Sequence, residues 1–164
     1  MATKSNDGTL RRENDKVQGA IVLIASADAG VRQRWALGLK GFFTIRGVSE
    51  WAELKRTMSE FKPAILLVNS DLLQSGEAKG ISTIRRLSPS TKIILLTNGN
   101  DEKKAISGLR AGAKGCCNKD IDLSLLLKAV NVVQKGEIWV GRKTISRLLT
   151  ELISLTCTRY QFMR

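Results

Sequence analysis

The chain has 164 residues, 43% of them hydrophobic, and sets 27 Lys and Arg against 15 Asp and Glu for a formal net charge of +12; this suits one globular domain with tails and excludes a disordered chain. No apolar run approaches the roughly 18 residues needed to cross a bilayer, and the absence of histidine removes the commonest general base and zinc ligand. Four Phe, three Trp and one Tyr are too few for an extended stacking platform on single-stranded nucleic acid.

Residues 1–18 are polar, carry Asn6-Asp7-Gly8 and show no apolar period, so they read as a disordered tail rather than a secretory signal. Residues 20–25 (AIVLIA) form a short β-branched apolar run, the pattern of a strand buried on both faces. Asp28 can cap a helix carrying Val31, Trp35, Leu37 and Leu39. Residues 42–48 read as a second strand. Ser49 can cap a helix with Trp51, Leu54, Met58 and Phe61, which Pro63 stops.

The third strand is 64–68 (AILLV), followed by a Gly- and Ser-containing loop at 74–80 and a short helix with Ile81, Ile84 and Leu87. Ser88-Pro89-Ser90 breaks that helix, and 92–96 (KIILL) is the fourth strand. Asn100 or Asp101 starts a helix with Ala105, Ile106 and Leu109, ended by Gly112. Residues 115–118 are a short fifth strand. Asp120 or Asp122 then opens a long apolar helix through Leu123, Leu126, Leu127, Val130 and Val133, closed by Gly136. Five strand–helix units of this spacing predict an α/β fold, a parallel sheet with helices on both faces. Its chemistry belongs beyond the C-terminal strand ends, which selects Ser26, Ala27 and Asp28, then Asn69, Ser70 and Asp71, then Thr97 and Asn98, then Asn118 and Lys119.

These positions and their spacing resemble a response-regulator receiver domain of the NarL/LuxR-like branch, which carries a helix-turn-helix. The resemblance rests on PAILLVN at 63–69, IILLT at 93–97, LRAGAKG at 109–115, Lys119, and GEIWV at 136–140. It implies a single doubly wound, flavodoxin-like (βα)5 domain with a five-stranded parallel sheet over 19–139. A linker helix over 140–156 and a stub of a C-terminal module at 157–164 would follow. In that family two acidic residues and an acceptor Asp hold Mg²⁺ through oxygen ligands, the acceptor forms an aspartyl phosphate, and a Thr and a Lys bind the phosphoryl oxygens. Here Thr97 and Lys119 stand in place, but the acceptor position is Asn69 and the acidic pair is Ser26 and Ala27.

An amide cannot form an acyl phosphate, so the resemblance implies a degenerate receiver with no catalytic residue, no metal and no cofactor. Cys116 stands where the family places its switch aromatic. Asp28 and Asp71 lie nearby, and strand alternation would keep Asp71 on the acceptor's face. Thr97 can instead cap a turn, and Lys119 can be held by the Asn69 amide oxygen and backbone carbonyls. Cys116, Cys117 and Cys157 form no C-x-x-C pair and read as reduced thiols; the adjacent two suit small buried positions.

The expected function is regulation of transcription from the cytoplasm without aspartyl phosphorylation. Its expected partners are a second copy of the chain, DNA through a helix-turn-helix that this chain lacks, and an unidentified protein or small molecule, with no membrane. The alternatives are an anion sensor built from Thr97, Lys119, Asn69 and Ser26, or a phospho-receiver using Asp71. The intact linker favours a piece of a longer regulator over a module that has lost its output domain. The last apolar helix holds more Leu and Val than one stripe can bury, so part of it is expected at a dimer interface. The charge is spread without a block of five like residues; it favours encounter with anionic partners but carries no sequence readout.

Overall fold

The computed structural model describes residues 20–99 and 101–162, with side chains through Cys157. The expected tail at 1–18 and the candidate cap Asn100 lie outside the described residues. Strands β1 (Ile21–Ala25), β2 (Thr44–Val48), β3 (Ile65–Asn69), β4 (Lys92–Thr97) and β5 (Gly115–Asn118) make one sheet in the order β2-β1-β3-β4-β5, with every pair parallel. Helices α1 (Ala29–Leu39), α2 (Trp51–Phe61), α3 (Glu77–Leu87), α4 (Glu102–Ala111) and α5 (Leu123–Gln134) cross over between strands or follow β5, and α6 (Arg142–Phe162) comes after α5.

Two cores follow from strand alternation. In β1, Leu23 and Ala25 face the layer of α2, α3 and α4 with Leu54, Met58, Ile81, Ile84 and Ala105. Val22 and Ile24 face α1 and α5 with Trp35, Leu39, Leu126, Val130 and Val133. Because β3 and β4 are central, both their faces are buried, which is why their sequences read as continuous apolar runs.

Four sequence expectations need correction. Residues 42 and 43 do not open β2: their N–H groups bond the Leu39 carbonyl in the turn that closes α1. Ser49 does not cap α2; Glu50 holds that position without a side-chain bond, and the Ser49 N–H donates to Glu53 Oε2 at 3.4 Å. Leu37 is 70% exposed because Trp35 and Leu39, one turn apart, take the buried face of α1. The linker helix expected to end at 156 continues to Phe162, since no Gly or Pro interrupts 142–162. Asp28 and Asp101 do cap α1 and α4, accepting from Gly30 and Val31 N–H and from Lys104 N–H respectively.

After α5 the chain runs along the open edge of β5. The Cys116 N–H donates to the Trp139 carbonyl at 2.9 Å and the Trp139 N–H to the Lys114 carbonyl at 3.0 Å, which removes an unpaired strand edge. The chain then enters α6, which lies on α4 through Arg110–Glu151 and Arg147–Glu102 ion pairs. Ile145, Leu149, Leu152, Ile153 and Leu155 of α6 stay exposed, as does Leu125 of α5.

Candidate functional site

The strand order reverses between β1 and β3, the place where open α/β sheets put their ligands. Ser26, the first residue after β1, is fully buried; its N–H donates to the Val48 carbonyl. Its Oγ accepts from the Asp28 N–H at 3.2 Å and from Asn69 Nδ2 at 3.4 Å. The Ser26 carbonyl accepts from Arg32 Nη1 at 2.6 Å. Asn69 ends β3, 4% exposed, and its Oδ1 accepts the Asp71 N–H at 3.4 Å. Both ends of that amide are therefore engaged.

Neither nearby acid brings its carboxylate into this knot. The strand stops at Asn69 and a 3₁₀ turn covers Ser70–Leu72, so strand alternation does not extend to Asp71. That residue is exposed, its Oδ2 accepting from Asn98 Nδ2 at 2.6 Å. Asp28 is exposed and spent on capping α1, and Ala27 is exposed and apolar.

Thr97 and Lys119 sit on the other side of the crest. The Thr97 hydroxyl, 3% exposed, faces the Gly99 carbonyl at 3.0 Å and the Cys117 carbonyl at 3.4 Å, where it braces the turn after β4. Lys119 is half-buried and its N–H donates to the Thr97 carbonyl at 2.8 Å. Asn69 does not hold its ammonium, which has no hydrogen bond or ion pair among the described residues; the amide expected to serve it is bonded to Ser26 and Asp71 instead.

Three residues that the sequence pattern does not flag shape the site. Trp35 Nε1 donates to the Lys119 carbonyl at 3.0 Å, and Arg34 spans the same loop, donating to the carbonyls of Lys119 at 3.2 Å and Ile121 at 2.7 Å. Arg32 places a guanidinium on the Ser26 carbonyl. A buried tryptophan needs an acceptor for its indole N–H, which is the one signal a sequence offers here; the arginine contacts are long-range.

Cys116 and Cys117 are buried on β5. Burial first, then the Asp101 charge, pushes the Cys116 thiol up to about 12. Burial and Cys116 push Cys117 up to about 12, against an opposing hydrogen bond from Trp139. Such thiols are inert at neutral pH. A cavity of about 450 Å³ lies beside them, lined by Thr97, Ala105, Ile121 and Trp139. Its lining includes Thr97 but not Ser26, Asn69 or Lys119.

The donor set does not suit a hard divalent cation, which needs carboxylate or free carbonyl oxygens. Ser26 and Asn69 are neutral and mutually bonded, and the carbonyl between the strand and α1 already carries the Arg32 charge. Among the described residues, no group of three or more His, Cys, Asp or Glu could hold a metal ion, and no helix is long and apolar enough to cross a membrane.

A family model described as "Response regulator receiver domain" matches residues 22–131. The chain is 32% identical over 138 residues to the oxygen regulatory protein NreC of Staphylococcus aureus, covering 81% of this chain and 63% of that protein. It thus spans less than two thirds of the curated relatives it matches. Among solved structures, a two-component response regulator of the LuxR family from Aurantimonas sp. SI85-9A1 superposes with a TM-score of 0.72 at 18% identity, over 83% of this chain and 99% of that one. The apo REC domain of RcsB from Salmonella enterica serovar Typhimurium gives 0.72 at 23%, over 80% and 99%. The signal receiver domain of the putative response regulator NarL from Mycobacterium tuberculosis gives 0.66 at 19%, over 73% and 99%. These identities carry the fold, and the family match carries the rest: the chain belongs to the response regulator receiver domain family.

Proposed function

We propose that this receiver regulates transcription without forming an aspartyl phosphate, as the 19–139 module of a longer regulator joined through α6 to a C-terminal DNA-binding helix-turn-helix. The carrying observation is the chemistry of position 69, read as the family's acceptor position. An amide is a poor nucleophile and yields no acyl phosphate, and here it is buried and bonded at both ends. Ser26 and Ala27, read as the acidic pair, offer no carboxylate, and the Arg32 guanidinium occupies the carbonyl beside them. Output then depends on dimerisation or on contacts with a protein or ligand. The exposed apolar residues of α5 and α6 are the surfaces available for it. The regulatory role follows the names of relatives, a regulatory protein in Staphylococcus aureus and a LuxR family DNA-binding response regulator from Silicibacter pomeroyi.

Incubation with acetyl phosphate and Mg²⁺, followed by intact mass, tests the reading. The expected mass is unchanged. A gain of one phosphate that disappears in Asp71→Asn would overturn the proposal in favour of a displaced acceptor.

A further inference from the structure

We infer that the groove between α2 and α3 is a contact surface for the phosphate backbone of duplex DNA. It is lined by Trp51 and Lys55 of α2 and by Lys79, Ser82, Thr83 and Arg86 of α3, and Arg85 extends it toward Pro89. No carboxylate lines it.

The cations here are uncompensated. No Asp or Glu stands three or four residues from Lys55, Lys79 or Arg86, the spacings at which helical side chains meet. The ion pairs among the described residues all lie on α4 and α6. Lys55, Lys79 and Arg86 are all exposed, so their charge faces solvent rather than the core.

The lining fits phosphate better than protein. Lys, Arg, Ser and Thr are the side chains that bind phosphate oxygens. A protein partner would instead need apolar anchors in a desolvated centre. Here the aromatic candidate, Trp51, is half-buried with the Lys55 ammonium 5.9 Å from its ring centroid. From Lys79 to Arg86 the helix rises about 10 Å at 1.5 Å per residue, the axial length of about three phosphates on one strand at 3.4 Å each. Such contacts would add affinity and orientation without reading sequence. The inference stands whether or not position 69 accepts phosphate.

The test is fluorescence anisotropy of a labelled random duplex with the full chain from 50 to 200 mM salt. A triple variant, Lys55→Gln, Lys79→Gln and Arg86→Gln, is compared with Lys114→Gln, Lys128→Gln and Lys135→Gln, which removes equal charge from exposed sites elsewhere. Neutralising three contacts should lower the slope of log affinity against log salt by about 2.7, while the control triple stays within about twofold of the parent. Thermal melts check that both triples fold. The inference fails if the parent does not bind at 50 mM salt, if both triples weaken equally, or if polyglutamate of matched charge binds as tightly as DNA, which would mark an acidic protein surface as the partner.

Discussion

On the β1–β3 half of the crest, two polar side chains bond to each other, Asn69 donating to Ser26, and Arg32 closes the Ser26 carbonyl. On the β4–β5 half the bonds run to backbone, from Thr97 to the Gly99 and Cys117 carbonyls and from Trp35 and Arg34 to the Lys119 carbonyl. The first half is a compact knot, linked to the second through Asp71 and Asn98. The second continues outward, through Cys116 to Trp139 on the β5 edge and from Glu102 to Arg147 on α6. A displacement at Thr97 therefore has a shorter bonded route to α6 than one at Asn69, which reaches the second half through Asp71 and Asn98. On the proposed reading, in which the first half is not phosphorylated, the second half is where a partner or ligand would act.

The largest expected effect comes from removing the support under the second half. Trp35 is fully buried, so Trp35→Ala should cost about 3–5 kcal/mol through lost packing and the cavity left behind. Trp35→Phe keeps most of the ring and loses only the bond to the Lys119 carbonyl, about 1–2 kcal/mol. Urea midpoints separate the two; equal losses would rank the hydrogen bond above the packing.

A smaller effect probes the knot. Asn69→Asp replaces the donor facing Ser26 with a carboxylate oxygen at a position 4% exposed, and should cost about 1–3 kcal/mol at pH 7. Burial raises a carboxyl pKa. The folded variant then holds its proton more tightly than the unfolded chain does, so its deficit is least below about pH 4 and grows as pH rises through the ordinary Asp value. Denaturation at pH 4 and pH 7 measures this. A deficit that does not change with pH would mean that Arg32, on the neighbouring carbonyl, neutralises the new charge.

Much of the architecture was legible in the sequence because burial on two faces writes a continuous apolar run: β1, β3 and β4 stand within a residue or so of where AIVLIA, AILLV and KIILL place them. Asp28 was legible as a cap, and Asp101 as one of two candidates, because a cap is a local hydrogen bond. The edge strand β2 was less so, with Thr44, Arg46 and Gly47 exposed and little hydrophobic signal to mark its start. The site was legible as a set of positions but not as a set of partners. Whether Asp71 reaches the acceptor's face depended on one 3₁₀ turn, and what holds the Lys119 loop depended on Arg34 and Trp35, some 85 residues away in sequence. Spacing predicts neither.

The smallest expected effect tests whether the two halves are mechanically separate. Glu151 takes Arg110 through Oε2, and its Oε1 lies 3.9 Å from Arg147 Nε, while Arg147 Nη1 lies 3.4 Å from Glu102 Oε2. These side chains are 31–64% exposed, so water screens them, and each pair contributes about 0.2–1 kcal/mol. Glu151→Gln should leave global stability within about 1 kcal/mol of the parent. It should speed hydrogen exchange of the α6 amides by about two- to fivefold, the equivalent of about 0.5–1 kcal/mol, and leave those of α1 and Ser26 unchanged. At 1 M salt the Debye length falls to about 3 Å, and the difference between variant and parent should shrink. Faster exchange at α1 and Ser26 to the same degree would show that the knot and the α6 route move together, and the separation drawn between the two halves would fall.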